Sequence, residues 1–234
     1  MIIAISGKKQ TGKDTVGKII QYHTSTEYQE KYGLEKESFD EFLNYYFVGV
    51  NTFVWKIRKF SEKLKEIISI LTGIPVSEME KEEVKNKVLP ETFWVYKLYV
   101  YKKGYNLYPY ISNKGRFPDD TLIKPTLRDY LKYIGTDLFR DQLHPDIWIN
   151  SLMNDYNDNE NWIITDLRFK NEFNTVKEKG GVTIKVVKDN VDNDSHKSEN
   201  DLDDVEFDYT IDNNGSIEEL IEKVREILIK EKIL

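Results

Sequence analysis

Residues 7–13 read Gly-Lys-Lys-Gln-Thr-Gly-Lys and fit G-x-x-x-x-G-K between an apolar run and a helical pattern. Chemistry of a specific kind follows from that spacing. Gly7 and Gly12 let the backbone turn tightly, so the N–H groups of Lys8, Lys9, Gln10 and Thr11 can point inward at phosphate oxygens. The helix that starts at Lys13 adds its positive end, and the Lys13 ammonium would bridge the outer phosphates of a nucleotide. Asp14 follows where such loops usually carry a hydroxyl, and Thr15 comes one place later.

A second polar group closes an apolar run, Ile163-Ile164-Thr165-Asp166-Leu167-Arg168. A carboxylate at the end of a buried strand can position Mg²⁺ or its waters, and a guanidinium two residues on can stabilise charge spreading over a transferred phosphoryl group. Catalysis is therefore expected from Lys13, Asp166 and Arg168. Asp14 and Asp166 are the expected metal-facing carboxylates, acting through water. Taken alone, an acid at a strand end is a turn former, and Lys170 beside it is a solvated charge.

Phosphoryl transfer also needs cations that hold an anionic acceptor in line. Lys65, on the amphipathic stretch 60–71, is one candidate, although a surface lysine would look the same. Thr126 to Trp148 supplies others. Arg128 and Arg140 offer bidentate contacts, Gly135 and Thr136 permit close backbone approach, and Trp148 offers a stacking face. Spacing alone makes Trp148 a core aromatic of the 146–156 helix.

These groups need a scaffold that gathers strand ends. Residues 1–6, 53–57, 162–165, 182–187 and 209–211 read as short strands. Helical patterns run from Lys13 past Ile20, over 60–71, 126–139, 146–156 and 171–179, and from Ser216, with Glu219 completing a capping pattern. Gly180-Gly181 is a helix stop. Strands alternating with helices predict an α/β fold with a mostly parallel sheet, and ligands collect at the carboxyl ends of such strands. The expectation is one domain over 1–234, with an irregular insertion at about 76–125 containing a tyrosine-rich stretch and a hairpin. Residues 189–204 read as an acidic loop.

The 234 residues suit one sizeable α/β domain, and the net charge of −7 disfavours a general nucleic-acid or membrane-surface binder. There is no cysteine, which removes disulfides and thiolate metal sites. The three histidines, His23, His144 and His196, lack zinc-ligand spacing, and His196 with Ser198 and Glu199 reads as loop. No run reaches membrane-spanning length, so a soluble cytoplasmic protein is expected, in the host cytoplasm if viral.

The G-K-x-T form resembles the loop of nucleoside monophosphate kinases, where the metal is held largely through water. More broadly, the chain resembles the deoxynucleoside monophosphate kinases of tailed bacteriophages. The matching elements are SGKKQTGKDT, FSEKLKE, LRDYLKYIGTDLFRDQLHPDIWINSL, ITDLRFKNE, SHKSE and DYTIDNNGSIEEL, in that order along the chain. The resemblance implies an adenylate-kinase-like P-loop fold, ATP with Mg²⁺, and transfer to deoxynucleoside monophosphates. It implies acceptor roles for Gly135, Thr136, Trp148 and Asp166, and places Asn213 and Asn214 near the donor adenine. Lys63 and Lys170 stand where the family usually has proline. The expected partners are small-molecule nucleotides, and a homodimer stays open. Two other readings fit the motifs less fully: a phosphomevalonate kinase-like enzyme and a regulatory protein that uses ATP as a switch.

Overall fold

The computed structural model describes residues 1–31, 38–48, 53–98, 110–112, 121–189 and 201–234. In chain order the first elements are β1 (Ile2–Ser6), α1 (Lys13–Lys31), α2 (Phe39–Val48), β2 (Trp55–Arg58), α3 (Glu62–Thr72) and α4 (Glu82–Lys85). Three strands follow, β3 (Val95–Leu98), β4 (Tyr110–Ser112) and β5 (Thr121–Ile123), then α5 (Leu127–Lys132) and a π-helical stretch, Tyr133–Leu143. The chain ends with α6 (Ile147–Met153), β6 (Asn161–Ile164), α7 (Lys170–Glu178), β7 (Val182–Val187), β8 (Tyr209–Asp212) and α8 (Ile217–Lys230).

Contacts divide the chain into two compact units, Met1–Glu62 with Trp148–Leu234, and Lys63–Ile147. The first holds a five-stranded sheet in the order β2-β6-β1-β7-β8, and all four pairings are parallel. Every residue of β1 is buried, as a central strand covered on both faces requires. Ile3 and Ile5 join Val16, Ile19 and Ile20 of α1 and Val224 and Leu228 of α8 in one apolar cluster. Ile2 and Ala4 alternate to the other face, and α7 packs against β1 and β7. Gly17 lets α1 lie close to the sheet, because an added Cβ there would meet the Thr165 methyl at 2.8 Å.

Charged anchors finish this unit at its surface. Asp208 accepts from the Thr183 amide and hydroxyl, both at 2.8 Å, and pairs with Lys177 at 2.7 Å. Burial pushes its carboxyl up, but these partners more than offset that and hold it below its usual range.

The second unit holds an antiparallel sheet in the order β4-β3-β5, with α4 and α5 beside each other. Strands therefore arise within the segment read as an insertion. Thr126 caps α5 by accepting from the Asp129 amide, and Asp129 returns the bond to the Thr126 amide at 2.9 Å.

Several element boundaries differ from the pattern. The helix expected over 126–139 is split, with the π-helical stretch taking over at Tyr133, and the 146–156 helix stops at Met153. Helix α2 has no counterpart in the sequence reading. Its Phe39 and Phe42 close an aromatic cluster with Tyr22 and Phe53, packing that only the third dimension reveals. His196, Ser198 and Glu199 lie outside the described residues, as does most of the tyrosine-rich stretch.

Candidate phosphate-binding site

Residues 7–13 join the end of β1 to the start of α1, at the carboxyl edge of the parallel sheet. Gly7 sits where no side chain fits, since a Cβ would meet the Val186 carbonyl oxygen at 2.4 Å and Thr11 Oγ1 at 2.6 Å. Gln10 and Gly12 both have left-handed backbone, φ 64 and φ 97, which folds the loop back on itself. Thr11 is buried and donates its hydroxyl to the Lys8 carbonyl at 2.9 Å. The Lys13 ammonium donates to the carbonyls of Gly7 and Lys8 at 2.5 and 2.6 Å, so it lies within the turn of the loop.

Asn213, expected near a donor adenine, fastens this loop. Its amide nitrogen donates to the Thr11 carbonyl at 2.8 Å and would crowd any Cβ on Gly12 at 2.5 Å. Its backbone N–H reaches the Val187 carbonyl at 2.9 Å, tying the ends of β7 and β8 to the loop. Asn214 accepts from the Asp189 amide at 2.9 Å. Thr15 is half-buried in the first turn of α1.

The position after Lys13 is chemically inverted relative to a hydroxyl-bearing loop. Asp14 accepts from the hydroxyl of Thr165, at the end of β6, at 2.7 Å. Lys59, just beyond β2, pairs with the same oxygen at 3.1 Å. The carboxylate therefore sits on the loop and the hydroxyl on the strand. Neither Thr165 nor Lys59 stood out in the sequence, because their partner lies far away along the chain.

Asp166 has a different environment from the one its strand-end position suggests. Its two oxygens accept from the amides of Phe60 and Ser61, at 2.8 and 3.0 Å, and from the Ser61 hydroxyl at 2.7 Å. These bonds secure the turn that enters α3. Asp166→Ala should lower stability by about 0.5–2 kcal/mol, the usual cost of a lost cap. Unchanged denaturant midpoints for Asp166→Ala would contradict that anchoring role.

Arg168 follows on the β6–α7 connection, which Glu172 rigidifies. The buried Glu172 carboxylate accepts from the amides of Arg168 and Phe169 at 2.9 and 3.1 Å. Phe169 has no side-chain acceptor, so this N-terminus lacks the Ser/Thr-x-x-Glu pattern and Glu172 carried no capping signal in the sequence. Lys170 pairs with Asp204 at 2.8 Å.

The expected acceptor residues are divided between the two units. In the second unit, Lys65 is buried and bound to Glu80 at 2.5 Å, while Arg128 binds Glu82 at 2.6 Å and Asn86 at 3.1 Å. Burial pushes the nearby Lys85 ammonium down, with Lys65 and Arg128 adding to the effect and Glu80 and Glu82 opposing it. Gly135 permits a close approach, but to Leu64, whose methyl would lie 2.6 Å from an added Cβ. The approach of Gly135 is thus packing between the π-helical stretch and α3. Thr136 and Arg140 are half-buried on the same stretch. In the first unit, Trp148 is 5% exposed, which accords with the core placement that spacing alone implied and not with an open stacking face.

Oxygen donors such as Asp14 and the Thr165 hydroxyl suit Mg²⁺, which takes one or two carboxylates and leaves its other positions to phosphates and water. Among the described residues no three His, Cys, Asp or Glu side chains are grouped to cage a metal. No helix among the described residues is long and apolar enough to cross a membrane.

Two comparisons bear on this geometry. A family model described as deoxynucleotide monophosphate kinase matches residues 110–224. The chain is also 34% identical over 123 residues to a protein of Acanthamoeba polyphaga mimivirus that carries the provisional name deoxynucleotide monophosphate kinase. That match covers 46% of this chain and 63% of the relative, so the chain spans just under two thirds of it. The family-model match includes Asp166, Arg168 and Asn213 but not residues 7–13, so the phosphate loop is independent support.

Proposed function

We propose that the chain is a nucleotide kinase that transfers the γ-phosphoryl group of ATP to a deoxynucleoside monophosphate. An acceptor phosphate oxygen forms the new P–O bond as the β–γ bridging bond of ATP breaks, giving ADP and the deoxynucleoside diphosphate. The observation that carries this reading is the loop 7–13 at the end of central β1, with its left-handed backbone at Gln10 and Gly12 and the Lys13 ammonium held within it. The deoxynucleotide part rests on the similarity over 110–224 and to the mimivirus protein.

In this reading Lys13 exchanges the carbonyls of Gly7 and Lys8 for phosphate oxygens. The loop amides and the start of α1 orient the phosphates, and Arg168, on a connection stiffened by Glu172, faces the charge that develops during transfer. Asp14 would meet the waters of a bound Mg²⁺, which supplies charge neutralisation on the phosphates. Lys65, Arg128 and Arg140 are the proposed acceptor-phosphate cations, and Lys65 and Arg128 would exchange Glu80 and Glu82 for phosphate. An acceptor phosphate is already ionised at neutral pH, so no general base is required. The resemblance to tailed-phage enzymes supports a viral enzyme of that kind, and such an enzyme would work in the host cytoplasm.

The test is ADP release from ATP and Mg²⁺ with each deoxynucleoside monophosphate and each ribonucleotide counterpart. Turnover should depend on a deoxynucleoside monophosphate. Transfer only to a phosphorylated isoprenoid, or ATP binding with no acceptor-dependent ADP release, would sink the proposal.

A further inference from the structure

We infer that Lys59 and the divalent cation are alternative counter-ions of Asp14, making Lys59 a positioning residue of the donor site. The inference rests on the kinase reading. A hydroxyl after the loop lysine would be neutral, whereas Asp14 puts a full negative charge beside the phosphates. That charge needs a cation, and the fold supplies one: Lys59 lies 3.1 Å from Asp14 Oδ1. Only 23% of the Lys59 side chain is exposed, so it is largely packed away and held beside Asp14. Thr165 donates to the same oxygen at 2.7 Å, and its own burial at 2% exposure fixes the direction of that bond. Asp14 itself is 64% exposed, so a hydrated cation can approach it from solvent.

Both cations satisfy one carboxylate, so each weakens the other's hold. Lys59 then sets the Mg²⁺ concentration at which the nucleotide complex forms. It also keeps Asp14 neutralised when a nucleotide approaches, limiting repulsion with its phosphates. A merely structural lysine would do neither.

The experiment is a Mg²⁺ titration of the full chain with a non-hydrolysable ATP analogue, read by calorimetry. Lys59→Gln should lower the Mg²⁺ midpoint about two- to five-fold, the worth of a partly exposed ion pair. Lys59→Met, which keeps the stem, should do the same and guards against a folding artefact. In an Asp14→Asn background the Lys59 substitution should have no further effect on the midpoint. An unchanged or higher midpoint in both Lys59 variants overturns the inference, as does an equal shift in the Asp14→Asn background. If the unaltered protein does not bind the analogue at all, the kinase reading fails first, so the two failures are distinct.

Discussion

Replacing Lys13 with alanine is expected to lower phosphoryl transfer by about 10²–10³-fold, the usual loss when a fixed transition-state donor is removed. The ammonium is held inside the loop by the carbonyls of Gly7 and Lys8, at 2.5 and 2.6 Å, so it is positioned before any phosphate arrives. Charge brought in that way contributes most where negative charge develops between donor and acceptor. The defect should therefore appear in kcat/KM measured with a coupled assay for ADP, and in kcat as well as KM. The apolar cluster of the sheet lies elsewhere, so thermal unfolding should stay close to that of the unaltered protein. Turnover equal to the unaltered protein would remove Lys13 from the mechanism.

A second large effect is expected at Gly7. Alanine there brings a Cβ to 2.4 Å from the Val186 carbonyl oxygen, a backbone atom of β7 that cannot swing aside as a side chain can. It also displaces the Thr11 hydroxyl, whose bond to the Lys8 carbonyl shapes the turn. Overpacking of this kind costs about 1–3 kcal/mol. Gly7→Ala should therefore melt earlier and lose measurable affinity for an ATP analogue in calorimetry. Wild-type melting together with wild-type affinity would mean that the loop has more room than its geometry allows.

Much of the scaffold was legible because it is local. The apolar run before Gly7, the periodic residues Val16, Ile19 and Ile20, and the stop at Gly180-Gly181 each carry their signal within a few neighbours. The phosphate loop was legible for the same reason, since its function depends on its own backbone. What escaped were pairings across long separations. Nothing near Lys59 or Thr165 in the sequence indicates that both converge on Asp14. Asp166 reads identically whether it faces a metal or secures the amides of Phe60 and Ser61. Gly135 announced a close approach but not its partner, which is Leu64. Trp148 is a case where plain helical spacing described its burial better than likeness to a family did.

The position of β1 in the sheet has a further consequence, for the order in which the chain can acquire structure. Its neighbours are β6 and β7, and Ile2 pairs in register with Trp162. During synthesis β1 must wait for some 160 residues before either of its hydrogen-bonded edges is filled. At ribosomal speeds that is roughly 8–30 s. The unit Lys63–Ile147 is contiguous and closes its own contacts within that interval. Translation therefore separates the two units in time: the contiguous one is complete first, while β1, a strand buried in the finished fold, waits with both edges open, a state that invites aggregation.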